Sequence, residues 1–465
     1  MKVFGPCSEP TTPVDDCGMN MSDGTGVAPL PVPRGSADVI VIGGGIMGCS
    51  IALELARNGR SPLVLDKGPG PGAGSTSASS AIIRFNYSTP DAVKLSWESA
   101  HMWTRWRDHL GVTDELGTAQ FVRTGLLVLD SPATPLSTVR ALFEEAGVPY
   151  ESLDPAQLHV RYPDLDLGRY FPPKSIDDDA FWADNEGELG AYLTPDAGFI
   201  DDPALAAHNL MTAAIAAGAT FHFRTEVTRI DHAGGKVTGV ELASGEALEC
   251  STVVNAAGPH SSKVNVLAGL RSDIGVTTRP LRQEVDVMPA PPGFAIGGGG
   301  VIVTDADLGT YFRPHLGGTL IVGGVEPDCD RLEWIDDPDH FNEMPTVAVW
   351  EAQTTRVARR LPTVGVPVRP TGIAALYDVS SDWLPIYDRS DLDGFYLAIG
   401  TSGNQFKNAP MVGPIVSAII EACEAGHDHD AAPITIECPL TGNTLDAGTF
   451  SRRRRVQKTT NSVLG

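Results

Sequence analysis

The sequence predicts an α/β fold in which a parallel-sheet domain, assembled from separated segments, is interrupted by a second, sheet-rich α+β domain. Three observations predict it. Asp38 to Ile42 is a continuous apolar, β-branched run, typical of a parallel strand covered on both faces. A glycine-rich turn, a helical stretch from about Ile46 to Asn58 and a second strand from Ser61 to Asp66 follow, which makes one β-α-β unit. Strands of the same buried type return between 220 and 258 and again near 394, with segments of antiparallel texture between them.

Beyond that unit, Val93 to Leu110 reads as a helix, Gly125 to Leu129 as a strand and Thr134 to Ala146 as a helix. Pro203 to Ala217 is an alanine-rich helix that leads into a strand from Thr220 to Phe223. Lys236 to Leu242 and Ala247 to Cys250 alternate as hairpin strands do, and Ser251 to Ala257 is another buried strand. Thr319 to Gly323 and Gly394 to Ile399 are late strands, and Ala409 to Glu424 is the last long helix. The expected partition is a disordered tail over 1–35 and a nucleotide-binding domain from 36–115, 195–265 and 385–430. A substrate domain would come from 116–194 and 266–384, and 431–465 would be a C-terminal extension ending in a basic tail. Pro, Gly, Ser, Thr and Asp dominate the first segment. The arginine run after Ser451 reads as a solvated, frayed terminus, the usual fate of a short charge run.

Composition excludes several functions. Hydrophobic residues make up 42% of the chain, enough for ordinary cores. Acidic residues number 58 against 34 basic ones, a net charge of −24, which argues against nucleic acid and anionic lipid as partners. Seven cysteines show no C-x-x-C or paired spacing. That predicts a reducing, cytoplasmic setting rather than a disulfide scaffold. No apolar run is long enough for a membrane span, and the N-terminus lacks the pattern of a signal peptide. His101, His109, His208, His260 and His315 share no ligand spacing, so no metal is expected. His315, near Tyr311 and Arg313, is a candidate base, although a satisfied histidine is the commoner case.

The chemistry concentrates at Gly43-Gly44-Gly45-Ile46-Met47-Gly48, a G-x-G-x-x-G motif that follows a strand and opens a helix. Gly43 permits the tight turn, Gly45 lets backbone approach a pyrophosphate, and Gly48 lets helix and strand pack closely. The helix N-terminus offers free N–H groups and partial positive charge. Asp66 ends the next strand, where an acid accepts ribose hydroxyls. This makes the first domain Rossmann-like.

The choice of dinucleotide follows from later segments. Lys67 leads into a loop of small residues through Ser75, Thr76 and Ser77 that could line a phosphate or a flavin edge. Ala257-Gly258 and Gly400 to Gly403 are two further glycine turns, the second opening a long helix. Three remote glycine turns around one sheet suit a long cofactor, FAD rather than NAD.

With these pieces in place the chain resembles the D-amino-acid-oxidase-like (DAO) flavoproteins, nearest the sarcosine oxidase, dimethylglycine dehydrogenase and glycine oxidase branch. The resemblance runs from about Ala37 to Glu424. It rests on the glycine motif, Gly74-Ser75-Thr76-Ser77 with Ile82-Ile83-Arg84, Ala197-Gly198-Phe199, Thr225-Glu226-Val227, Pro280-Leu281-Arg282-Gln283 and Gly400-Thr-Ser-Gly403-Asn404-Gln405-Phe406-Lys407. It implies that Val227, Ala257, Gly258, Gly400, Gly403, Asn404, Gln405 and Phe406 join the glycine turn in holding FAD. It also implies that Arg84 and Lys407 bind a substrate carboxylate, that Tyr311 sits on a strand lining the substrate cavity, and that Tyr377, also a candidate site residue, lies beside the flavin.

Departures from the family matter too. Ala375 stands where the sarcosine oxidase branch attaches flavin through cysteine, and Ser77 and Ala78 stand where dimethylglycine dehydrogenases use histidine. The resemblance therefore implies non-covalent FAD. Ile321 replaces the oxygen-activating lysine, so reaction with O2 should be slow and another electron acceptor is open. The expected activity is oxidation of a C–N bond in a small amino acid or N-methylated amino acid, by hydride transfer to flavin N5, giving an imine that hydrolyses. The alternatives are a flavin-binding subunit of a heteromeric amine dehydrogenase or oxidase, an oligomer being possible, and a flavin monooxygenase.

Overall fold

The computed structural model describes residues 35–270, 275–460 and 462–464. Its central sheet runs Thr220–His222, Pro62–Leu65, Val39–Ile42, Val253–Asn255, Phe395–Ile399, Ile386–Arg389. The first five strands are parallel and the last is antiparallel. Alternation along each strand splits its side chains between two cores. Val39, Val41, Val64 and Val254 face helices Ile46–Arg57, Pro203–Ala217 and Ala409–Glu424. Ile40, Ile42, Leu63 and Leu65 face a second layer, the four-stranded sheet of Gly35–Ser36, Ala247–Glu249, Lys236–Leu242 and Val227–Ala233.

The second large sheet is antiparallel along most of its width. Its middle comprises Gly372–Ser380, Thr278–Pro289, Thr319–Gly324, Thr310–His315, Ile302–Asp305 and Leu126–Leu129. Met288, Phe312, Leu320 and Val322 pack under helix Val347–Arg360 through Val357 and Leu361. The opposite face presents Gln283, Val285, Tyr311, Ala375 and Tyr377 to the cavity described below.

Several boundaries move for local reasons. The stretch Val93 to Leu110 is two helices, Pro90–Thr104 and Trp106–Leu110, that meet at Arg105. The helix expected from Thr134 begins at Leu136, because Pro135 keeps the residue before it out of the helical region. Gly35–Ser36 is a short strand paired with Leu248 and Glu249, so order reaches back into the segment read as a tail. The remainder of that segment lies outside the described residues.

The C-terminal reading is corrected. Thr435–Cys438 and Asn443–Asp446 form a hairpin whose Ile436, Cys438 and Leu445 join the main core. Arg452 is fully buried and donates to Asp388 at 3.1 Å and Asp430 at 2.6 Å. Arg454 makes a two-pronged pair with Asp382, at 2.9 and 2.7 Å. The run is not a solvated end, because four carboxylates, Asp382, Asp388, Asp391 and Asp430, meet it and make burial of the guanidinium groups tolerable. Arg453 and Arg455 stay exposed.

Helices Ile46–Arg57 and Ala409–Glu424 touch at backbone distance. A Cβ on Gly413 would stand 2.4 Å from the Ser50 carbonyl oxygen, and the Ser50 hydroxyl donates to the Ala409 carbonyl at 2.5 Å. Gly413→Ala should therefore cost ~1–3 kcal/mol of stability despite alanine's better helix propensity. A lowered denaturant midpoint with unchanged slope is the expected readout; an unchanged midpoint would show that the helices can separate freely.

Candidate functional site

The glycine turn is built as its spacing demands. Gly43 has φ +114°, and a Cβ there would lie 2.3 Å from the Ala256 carbonyl oxygen. A Cβ on Gly48 would lie 1.9 Å from the Gly43 carbonyl oxygen, so that glycine serves packing. Gly45 caps the helix in an extended conformation; a Cβ on it would meet only the Thr76 hydroxyl, at 3.3 Å. It opens instead onto a cavity of about 980 Å³. Asp66 accepts the Gly44 and Gly68 N–H groups, each at 2.6 Å, which locks the turn to the loop after the second strand. The Thr76 hydroxyl accepts the Ile46 N–H at 3.1 Å.

The cavity runs from this turn to the second sheet. Gly43, Gly45, Ile46, Met47, Asp66 and Lys67 line one end, with Ser75, Thr76, Ser77, Val227, Ala257 and Gly258 along its walls. Arg84, Tyr311, Tyr377, Gly403, Asn404, Gln405, Phe406 and Lys407 line the other end. Gly48 and Gly400 are absent from the lining. Gly400 has φ +68° and donates its N–H to Asp378 at 2.6 Å, so it shapes the loop from behind. Gly403 also has positive φ, and a Cβ there would strike the Tyr377 ring at 2.4 Å.

At the inner end two cations sit against one ring. Arg84 Cζ lies 5.4 Å and Lys407 Nζ 4.7 Å from the Tyr87 centroid. Lys407 donates to the Asn404 carbonyl. Burial first, then the charge of Arg84, hold the Lys407 ammonium well below the usual lysine range. Burial likewise lowers Arg84 and raises the Tyr311 and Tyr377 phenols. Tyr311 shares a 2.6 Å hydrogen bond with Ser80, and Ser75 donates to the Leu376 carbonyl at 2.6 Å.

Some residues escaped sequence reasoning. Glu326, with φ +50°, is pushed up to about 8 by burial. Asp378 accepts from Gly400 and, at 3.0 Å, from Ser261, yet burial still pushes it up to about 7. Nothing in their spacing marks them; the position of Asp378 directly after Tyr377 was the nearest cue. His315 does not line the cavity and lies 3.3 Å from Arg313, which corrects its reading as a site base. Ile321 pairs with Arg313 and Val287 and is also absent from the lining. Lys67 and His260 both bond Asp339 at the cavity rim. Among the described residues no group of three or more His, Cys, Asp and Glu side chains could hold a metal, and no helix is long and apolar enough to cross a membrane.

A helix-opening glycine turn, an acid closing the next strand and a long cavity across the sheet define a dinucleotide-dependent oxidoreductase. The chain matches the family model DAO, FAD dependent oxidoreductase, over residues 38–419, and it belongs to that family. It is 28% identical to FAD-dependent oxidoreductase domain-containing protein 1 of Xenopus laevis, over 84% of this chain and 80% of that one. It is 26% identical to sarcosine oxidase subunit beta of Arthrobacter sp, over 90% and 94%. Glycine oxidase from Geobacillus kaustophilus shares the fold, with TM-score 0.69 and 21% identity over 91% of this chain and 100% of that one. The protein is thus an FAD-dependent oxidoreductase. The open cradle at Gly45 fits the cofactor: a backbone surface free of Cβ atoms, at a helix N-terminus, suits a pyrophosphate.

The buried acid behind the Gly400 loop has a measurable signature. A carboxyl with a raised folded-state pKa keeps a proton that the unfolded chain releases, so its contribution to stability falls as pH rises from about 4 to 7. Asp378→Asn should remove that fall, a difference on the order of a few kcal/mol across the interval. Thermal midpoints of both proteins against pH test it; parallel curves would mean Asp378 titrates normally.

Proposed function

We propose that the protein oxidises the C–N bond of a small amino acid or N-methylated amino acid. The observation that carries this reading is the pair of buried cations, Arg84 and Lys407, at the end of the cavity remote from the glycine cradle. When bound, FAD supplies the hydride acceptor at N5; the substrate leaves as an imine, which water hydrolyses. The protein's part is placement. Arg84 offers a planar fork to a carboxylate and Lys407 a second donor beside it. Burial and the charge of Arg84 lower the Lys407 pKa, and an arriving carboxylate offsets both. Tyr311, buried, and Tyr377, half-buried, wall the site and thin out its water.

Ala375, Ser77 and Ala78 line the cavity where a covalent anchor would stand, and none can supply a thiolate or imidazole. This supports non-covalent FAD. A second reading, a flavin-binding subunit of a heteromeric amine-oxidising complex, is favoured by the extensive match to a chain named as a subunit. The native mass and activity of the purified chain separate the two.

Two outcomes test the reading. Acid precipitation should release all yellow colour into the supernatant; colour kept in the pellet would reveal a covalent anchor. Arg84→Ala and Lys407→Ala should each retain flavin. Each should lose roughly 10- to 150-fold in kcat/KM on a carboxylated amine, the cost of a charge-assisted hydrogen bond of ~1.5–3 kcal/mol. Little should be lost on a decarboxylated analogue. Equal losses on both would assign the residues to the flavin or the fold, and a wild type that prefers carboxylate-free amines would remove the carboxylate site altogether.

A further inference from the structure

The inner end of the cavity is closed by the chain itself. Val463 and Leu464 line it, buried beside Tyr311, Val325 and Trp383. The Val463 N–H donates to Glu326 Oε2 at 2.7 Å. The Val463 carbonyl accepts from Arg84 Nη2, and the Leu464 carbonyl accepts from Arg84 Nη1 at 2.9 Å. One residue, Val463, thus sets its nitrogen on a carboxyl and its carbonyl oxygen on a guanidinium. That N–Cα–C–O skeleton is also the skeleton of an α-amino acid, with the polarity an amino acid would need. We propose that residues 462–464 are a built-in occupant of the substrate site, that Val463 stands where an α-amino acid binds, and that Glu326 receives the amine of that substrate. The inference rests on the amino-acid reading above and adds the amine partner and the competition.

Two independent features point the same way. Among the described residues, Glu326 Oε1 is buried and has no hydrogen-bond partner. A peptide N–H supplies one donor, which Oε2 takes; a free amine or ammonium supplies more and could also satisfy Oε1. Glu326 further adopts φ +50°, an uncommon conformation for a side chain of this size, and such strain concentrates at ligand sites. Nearby charge balances as well. Arg84 and Asp330 act on Glu326 with opposite sign, so an arriving ammonium adds to the favourable charge near it.

The strap is tethered outside the site. Arg454 pairs with Asp382, and the Thr459 hydroxyl donates to the Asp382 carbonyl at 2.9 Å. Residues 462–464 can therefore leave while the anchor stays. Strap carbonyls are neutral, whereas a carboxylate brings full charge to Arg84 and Lys407, so a free amino acid competes on better electrostatic terms.

The test uses the flavin-loaded full-length chain, a chain lacking residues 459–465, and Glu326→Gln in both. The probes are L-alanine, D-alanine and sarcosine, with propionate as the amine-free control. Anaerobic perturbation of flavin absorbance reads affinity, and amide hydrogen exchange reads the strap. Deletion should tighten binding of at least one amino acid, and of propionate, by roughly tenfold or more, because the competent fraction rises. Glu326→Gln in the deleted chain should then weaken the amino acid by about tenfold and propionate little. In the intact chain, exchange at Val463 and Leu464 should accelerate as the amino acid saturates, a readout that survives if the deletion fails to fold. Unchanged affinity on deletion, equal weakening of both ligands by Glu326→Gln, undisturbed strap protection in the liganded chain, or no amino-acid binding to the deleted chain would each overturn the proposal. Strap release without flavin reduction by any amine would defeat the oxidative reading and leave this one standing; flavin reduction with the strap still protected would do the reverse.

Discussion

The buried guanidinium of Arg84 is the constraint around which the inner site is arranged. It is 7% exposed and its nearest acceptors are neutral carbonyls of Asn86, Val463 and Leu464. A charge held in that way is costly unless its surroundings adapt, and they do. Lys407, sharing the Tyr87 ring with it, is driven toward its neutral form. Glu326, the nearby acid, stays far from its usual range because burial outweighs the pull of Arg84. A ligand that brings opposite charge to Arg84 and Lys407 therefore relieves the cost of burying them.

That guanidinium is placed by backbone architecture. Ile82–Ile83 pairs with Gly198–Ile200 in a small sheet that also takes in Phe121–Arg123, and Arg84 follows directly. Lys407 arrives from the opposite direction, on the turn between strand Phe395–Ile399 and helix Ala409–Glu424. Asp378 ties that turn to strand Gly372–Ser380: its carboxyl accepts the Gly400 N–H and its backbone carbonyl accepts the Ser402 N–H. A single residue thus couples the nucleotide-binding sheet to the sheet that forms the cavity's far wall.

The same division explains what the sequence disclosed. The β-α-β unit, the glycine turn and helix Ala409–Glu424 are local: periodicity, glycine spacing and a strand-ending acid are all read within about thirty residues. The antiparallel strands Thr278–Pro289 and Gly372–Ser380 escaped because proline, arginine and acid residues interrupt them, and only their long mutual pairing makes them strands. Helix Val347–Arg360 carries buried Gln353, Thr354, Arg356 and Arg360 on its core face, so its apolar stripe is faint. Arg360 meets Asp305 and Asp307 there. The arginine run and Glu326 escaped for one reason: each takes its meaning from partners far along the chain, 22 to 72 residues away for the arginines and 137 for Glu326. Asp382, Asp388 and Val463 cannot be assigned to them by spacing.

The chain carries a net charge of −24 and still builds a positive pocket, and the strap shows how the two coexist. Long-range repulsion of an anion is screened within about 8 Å at physiological salt, so the contacts at Arg84 govern binding. Without a ligand, that guanidinium needs oxygen acceptors, and a carboxylate from the protein would supply them. It would also cancel the charge and close the site to an anionic substrate. Peptide carbonyls satisfy the N–H groups and leave the charge uncancelled. Neutral acceptors on a removable segment are thus the arrangement that keeps a buried arginine both solvated and receptive.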